Sequence, residues 1–129
     1  MKIDAELFSG LMEIAFIAKH NGYLHEAESI FEFAFIMKPN SAYSYIGKAE
    51  VSMHRGMFEH AVDILRKAPI QDFKERELCH CYLGKALKLC GYYDEAQKIL
   101  KEVIDNGTYG IAKEYAQELY ETDLAAFLR

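Results

Sequence analysis

A six-residue pattern occurs three times in this chain: Gly22-Tyr23-Leu24-His25-Glu26-Ala27, Gly56-Met57-Phe58-Glu59-His60-Ala61 and Gly91-Tyr92-Tyr93-Asp94-Glu95-Ala96. Each copy is Gly, any residue, a large apolar residue, two polar residues and Ala. Gly56 follows Gly22 by 34 residues, and Gly91 follows Gly56 by 35. Repetition at that period is the signature of helical-hairpin repeats, whose units bury their apolar faces by stacking on one another. It predicts an all-α chain of three hairpins.

Helical spacing of apolar residues fills in the hairpins. Leu7, Leu11, Ile14, Ala15 and Ala18 predict a first helix over residues 5–20, with Asp4 as its cap and Gly22 as its left-handed stop. Ala27, Phe31 and Ala34 form one face of a second helix from Leu24 to Met37, which Pro39 cannot extend. The first helix of the second copy runs from Ser41 to His54, with Tyr45, Ala49 and Ser52 inward. Its partner helix runs from Phe58 to Lys67, with Ala61 and Leu65 inward. Asp72 with Glu75 is a reduced capping box that opens the third copy. That copy has a helix to Leu89, with Leu83, Gly84 and Leu87 inward, and a second from Tyr93 to Ile104, with Ala96, Leu100 and Val103 inward. Asn106-Gly107 is a stop, and Thr108 is the expected cap of a last helix, Tyr109 to Phe127.

The small residues have a packing purpose. Ala15, Ala49 and Gly84 stand seven residues before the three glycines, and Ala27, Ala61 and Ala96 stand five after them. Facing each other inside a hairpin, they let two helix backbones approach closely.

The period and pattern resemble the tetratricopeptide repeat. The residues that carry the likeness are Leu83-Gly84, the Gly…Ala hexapeptides, Phe31, Leu65 and Leu100, then Ala34 and Ala68, then Pro39. Three features depart from the family pattern. The usual early Trp is Leu11, Tyr45 and His80 here; the closing proline keeps its place only in the first copy; and Val103 stands where Ala is usual. The resemblance implies a single domain over residues 1–129, with repeats at about 8–41, 42–75 and 77–110. These would stack as a short right-handed solenoid closed by a C-terminal capping helix at about 109–127.

Composition narrows the function. Half of the residues are hydrophobic (51%) and 27% are charged, enough apolar material for a core with a polar surface around it. The net charge is −5, and the longest basic grouping is Arg66-Lys67. A phosphate backbone rewards clustered Lys and Arg, so nucleic acid is not an expected partner. No uncharged stretch is long enough for a membrane span, and Met1-Lys2-Ile3-Asp4 lacks the apolar core of a signal peptide. Three cysteines are a poor disulfide framework. A cytoplasmic protein is expected.

No catalytic constellation is apparent, and no cofactor or metal is expected. Glu26, Glu59 and Glu95 fall just after the hairpin turns, where solvated helix-start residues are ordinary. Cys79-His80-Cys81 places two thiols on different sides of a helix, where they cannot easily share one ion, and Cys79 and Cys90 are expected as small buried hydrophobes. His20 and His54 occupy equivalent helix C-terminal positions, where a histidine meets the helix dipole.

In repeats of this family the first helices line a groove. Its expected residues are Met12, Phe16 and Lys19; then Tyr43, Ile46, Glu50 and Met53; then Leu78, Tyr82, Lys85 and Leu89; with Tyr115 and Leu119 from the last helix. Such an apolar, aromatic and Met-containing channel suits an amphipathic helix or an extended apolar segment. The Lys/Asn/Arg clamp of chaperone-tail-binding members is absent, the matching positions including Met12, Phe16, Gly47, Leu78 and Tyr82. A second apolar stripe, Ile30, Phe33 and Met37, exceeds what one core face requires: either the N-terminus folds over it or another chain does, and another chain, a second partner surface, is the expectation.

The opening Leu11-Met12-Glu13-Ile14-Ala15-Phe16-Ile17-Ala18, followed by Asn21-Gly22 and His25-Glu26-Ala27, is similar to the small tetratricopeptide chaperones of type III secretion needle subunits. That similarity implies a chaperone that sequesters the apolar helix of a self-polymerising needle subunit, with a small helical co-chaperone over the first repeat. A chaperone of secreted translocator proteins, binding an extended segment, and a general scaffold are the alternatives.

Overall fold

The structure is a computed structural model and describes residues 5–123. Among the described residues all regular structure is helical: α1 (Ala5–His20), α2 (Leu24–Met37), α3 (Ala42–His54), α4 (Phe58–Lys67), α5 (Phe73–Cys90), α6 (Tyr93–Asn106) and α7 (Gly110–Glu121). The three repeated glycines do the same work. Gly22, Gly56 and Gly91 have φ of +86°, +76° and +88°. At each, the residue after the glycine donates its N–H five residues back: Tyr23 to Ala18, Met57 to Ser52 and Tyr92 to Leu87, at 2.8, 2.8 and 2.9 Å. The glycine itself bonds three residues back. This is the Schellman stop, and its left-handed residue disfavours any Cβ.

The alanines of the hexapeptides, Ala27, Ala61 and Ala96, are fully buried, as are Ala15 and Ala49. A Cβ built on Gly84 would lie 2.6 Å from Leu100, so the α5–α6 contact needs glycine there. A Cβ on Gly47 would overlap the ring of Phe31, which brings α3 equally close to α2.

Each helix packs on its chain neighbours. In addition α1 touches α3, α3 touches α5 and α5 touches α7, whereas α2, α4 and α6 do not pack on one another. The odd helices therefore form the tighter row. Across the even side, long side chains bridge the gap: Arg55 pairs with Glu28, Arg66 with Glu95, and the Tyr92 hydroxyl donates to Glu59 at 2.6 Å.

Four expectations need correction. The packed face of α1 is Phe8, Met12 and Ala15, with Leu11 and Ala18 half-buried. Leu7 and Ile14 are turned outward, 56% exposed each, together with Ile17 at 55%. Helices α2 and α3 pack on the other face of α1, the one that carries Phe8, Met12 and Ala15. Glu75 does not complete a reciprocal capping box. Asp72 accepts the Glu75 N–H at 2.9 Å, but the Glu75 carboxylate accepts from Ala42, at the start of α3, at 3.2 Å. Thr108 does not cap α7: Tyr109 is the cap residue, and neither side chain does the work. Finally α7 stops at Glu121, with Thr122 and Asp123 outside it; the expected continuation to residue 127, like the Asp4 cap, falls outside the described residues.

What replaces the Thr108 cap is Glu77. Its carboxylate is buried, and it accepts the N–H of Thr108 at 2.8 Å and of Tyr109 at 2.9 Å. Two residues apart on α5, Glu75 and Glu77 thus satisfy the orphan donors of two different helices.

Candidate functional site: the face of the odd helices

Residues seven apart on a helix lie two turns apart on nearly one face, about 10 Å along the axis. Met12, Tyr43 and Leu78 form one such row across α1, α3 and α5; Lys19, Glu50 and Lys85 form a second, each seven residues further on. The two rows differ in chemistry.

The first row opens into a cavity of about 850 Å³, within the range usual for ligand sites. Phe8, Met12, Tyr43, Leu78 and Tyr109 supply apolar and aromatic walls. Lys38 rests over the Phe8 ring at 4.6 Å, and Lys74 lies 5.8 Å from the Tyr109 ring. Leu78 also lines a smaller cavity of about 290 Å³ with Tyr82, Ile111, Glu114, Tyr115 and Glu118. Leu78 joins the two. The Tyr82 and Tyr115 rings pack at 5.2 Å between centroids. Burial pushes the Tyr82 hydroxyl up to about 12, and Tyr115 is raised by burial and by Tyr82. Both stay protonated and uncharged at neutral pH.

The second row is ionic. Glu50 is 4% exposed, and its two oxygens take two ammonium groups: Lys19 at 2.7 Å and Lys85 at 2.9 Å. Burial alone would raise the Glu50 pKa, but Lys85 and Lys19 outweigh it and hold the group below the usual carboxylate range. Three helices are tied through one carboxylate. His54, exposed at the end of α3, has its pKa lowered by partial desolvation and then by the positive charge of Lys19, against the opposing pull of Glu50.

The expected groove residues divide accordingly. Met12, Tyr43, Leu78, Tyr82 and Tyr115 line the two cavities. Phe16 is half-buried, edge-on to Phe31 with centroids 5.0 Å apart, and Lys19 lies 6.0 Å from its ring. Ile46, Met53 and Leu119 pack into the core, and Leu89 is half-buried against it, because the odd helices close on each other there. Met12 is itself 6% exposed and contributes only an edge.

On the second apolar stripe Ile30 and Met37 are half-buried and Phe33 is 45% exposed. Ile36, beside them, is 74% exposed. With Leu7, Ile14 and Ile17 of α1, the first hairpin carries much exposed apolar surface. The α1 residues escaped sequence reasoning because their spacing is equally consistent with a core face.

Other candidates have structural roles. Glu59 and Glu95 hold partners from neighbouring repeats, and Glu26 is exposed. Cys79 and Cys81 are buried, and burial pushes both thiols up to about 12, far from a reactive thiolate. Cys81 donates to the Ala112 carbonyl at 3.2 Å, fastening α7 to α5. Among the described residues no group of three His, Cys, Asp or Glu could hold a metal ion. No helix among them is long and apolar enough to cross a membrane. Neither a protein-family model nor a curated protein matches the chain.

Proposed function

We propose that the chain is a tetratricopeptide-type solenoid that holds an apolar helix of a partner protein along the face of α1, α3, α5 and α7. One observation carries this: the Met12–Tyr43–Leu78 row opens a cavity of about 850 Å³ that meets, at Leu78, a second one walled by Tyr82 and Tyr115. An α-helix with its side chains is about 10–12 Å across, so a row of that kind accepts one helical face. The tighter packing of the odd helices supports a curved array with this face inside. Each large apolar side chain buried there contributes roughly 1.5–3 kcal/mol before association costs.

Within that class the opening motif favours a chaperone of type III secretion needle subunits. It would be a cytoplasmic protein without enzymatic activity that covers the subunit's polymerising helix. The exposed Phe33 and Ile36, with Leu7, Ile14 and Ile17, then receive a small helical co-chaperone. A translocator chaperone would use the same groove for an extended segment.

Co-purification of the tagged chain from its own cells, followed by mass spectrometry, separates these. A small, largely helical secreted subunit supports the needle assignment. A large translocator or an unrelated assembly replaces it with the corresponding rival. A chain that is monomeric and binds no apolar helical peptide contradicts the whole proposal.

A further inference from the structure

The ionic row on the face of the odd helices holds one positive charge more than it needs. One lysine would suffice to neutralise Glu50, yet Lys19 and Lys85 both converge on it. Among the described residues neither lysine meets another carboxylate, so the trio carries a net charge of +1. Glu50 is buried, while the Lys19 and Lys85 side chains are 13% and 25% exposed, and Lys85 lies beside Tyr82, which lines the smaller cavity. The rings of Phe16 and Tyr82 flank them at 6.0 Å. Glu114 and Glu118 of α7 line the smaller cavity with Tyr82 and Tyr115.

From this geometry we infer that Lys19 and Lys85 form a carboxylate subsite: the bound helix carries one Asp or Glu side chain within its apolar stripe, seated between the two ammonium groups. An apolar helix with an uncharged stripe would leave the excess charge desolvated and unpaired, which costs affinity. A stripe with one acidic residue completes a two-lysine, two-carboxylate square, and a basic residue there meets like charge. The site would thus fix the register of a helix whose apolar contacts alone would let it slide. This rests on the groove proposal above, deepening it to the partner's chemistry.

The test uses synthetic amphipathic helical peptides, amidated at the C-terminus so that side chains supply every carboxylate. One Glu, Gln or Lys is placed at each stripe position in turn, and affinity is measured by titration calorimetry. One Glu position is expected to bind about tenfold tighter than its Gln counterpart, a difference of about 1.4 kcal/mol. Adding salt should narrow the gap, and Lys85→Met should reduce it to about twofold or less. Glu50→Gln removes the internal competitor and is expected to widen the preference, whereas a merely structural role for Glu50 predicts only weaker binding of every peptide. Equal affinity of Glu and Gln peptides at all positions, or a preference that survives Lys85→Met, overturns the subsite while leaving the groove in place. Failure of every peptide to bind overturns the groove proposal and the subsite with it.

Discussion

Glu77 and Lys88 stand eleven residues apart on α5 and hold the opposite ends of α7. Glu77 accepts the N–H groups of Thr108 and Tyr109 at the start of that helix. Lys88, 5% exposed, donates its ammonium to the carbonyls of Leu119, Tyr120 and Thr122 at its end, the last two at 3.1 and 3.0 Å. Eleven residues span about 16 Å of helix, and the 12 residues of α7 span about 18 Å, so the two clamps match its length. An anion at the N-terminus and a cation at the C-terminus are also the signs that the helix dipole favours.

Removing either clamp should therefore loosen α7 and leave the repeats before it intact. Glu77→Ala leaves two helix-start donors unpaired and is expected to cost about 1–2 kcal/mol. Lys88→Met should cost a similar amount. Hydrogen exchange checks this: α7 amides should lose protection in both variants while α3 amides keep theirs. Loss of protection throughout would show that α7 does not open on its own.

Two glycines should respond to alanine in opposite directions. Gly47→Ala drives a methyl into Phe31 and is expected to destabilise by about 1–3 kcal/mol. Gly10 lies inside α1 with open space around it, so Gly10→Ala should stabilise by about 0.5–1 kcal/mol. Urea unfolding of the two variants measures both.

Stability should fall on mild acidification. His54 and His80 keep an exposed edge, but partial desolvation, joined by Lys19 at His54 and Arg76 at His80, holds both folded pKa values below their ordinary 6.5. A depressed histidine binds its proton more readily in the unfolded chain. Its contribution is therefore whole above 6.5 and is lost as pH falls through the folded value. Glu50, also depressed, contributes in the same sense but further down, below the ordinary carboxylate value of 4.5. Melting temperatures between pH 7 and 5.5 should decline, and the His54→Gln/His80→Gln variant should show a flatter decline. An unchanged slope would refute the assignment.

The outer stripe should be separable from the fold. Phe33 is 45% exposed, so Phe33→Glu is expected to change stability by no more than about 0.5 kcal/mol. It should weaken any partner that covers the first hairpin. Unfolding of this variant, seen by circular dichroism, would show that Phe33 belongs to the core.

The repeated glycines and alanines were legible in the sequence because each answers a local demand: a left-handed stop, or a contact too close for a larger side chain. Helix ends near them followed. The outward face of α1 was not legible, because Leu7, Ile14 and Ile17 share the periodicity of core residues, and only the placement of α2 and α3 decides which face is covered. Glu50, Lys19 and Lys85 were expected on the groove face, but their mutual pairing bridges 31 and 35 residues and leaves no local trace. The Glu77 and Lys88 clamps bridge similar distances, and Thr108, a good cap by local rules, was the natural but mistaken choice. Ile46, Met53 and Leu119 sit on the expected helices, yet contact between the odd helices buries them.

The central claim is that the face of the odd helices binds an apolar helix, and Leu78, which lines both cavities, is where it is most exposed to test. The measurement is titration of one apolar amphipathic helical peptide into the unaltered chain and into Leu78→Lys, with circular dichroism confirming equal helix content. The account predicts saturable one-to-one binding to the unaltered chain and at least about tenfold weaker binding to the variant, or about 1.4 kcal/mol. Equal affinity for both, or no binding to either, would contradict it.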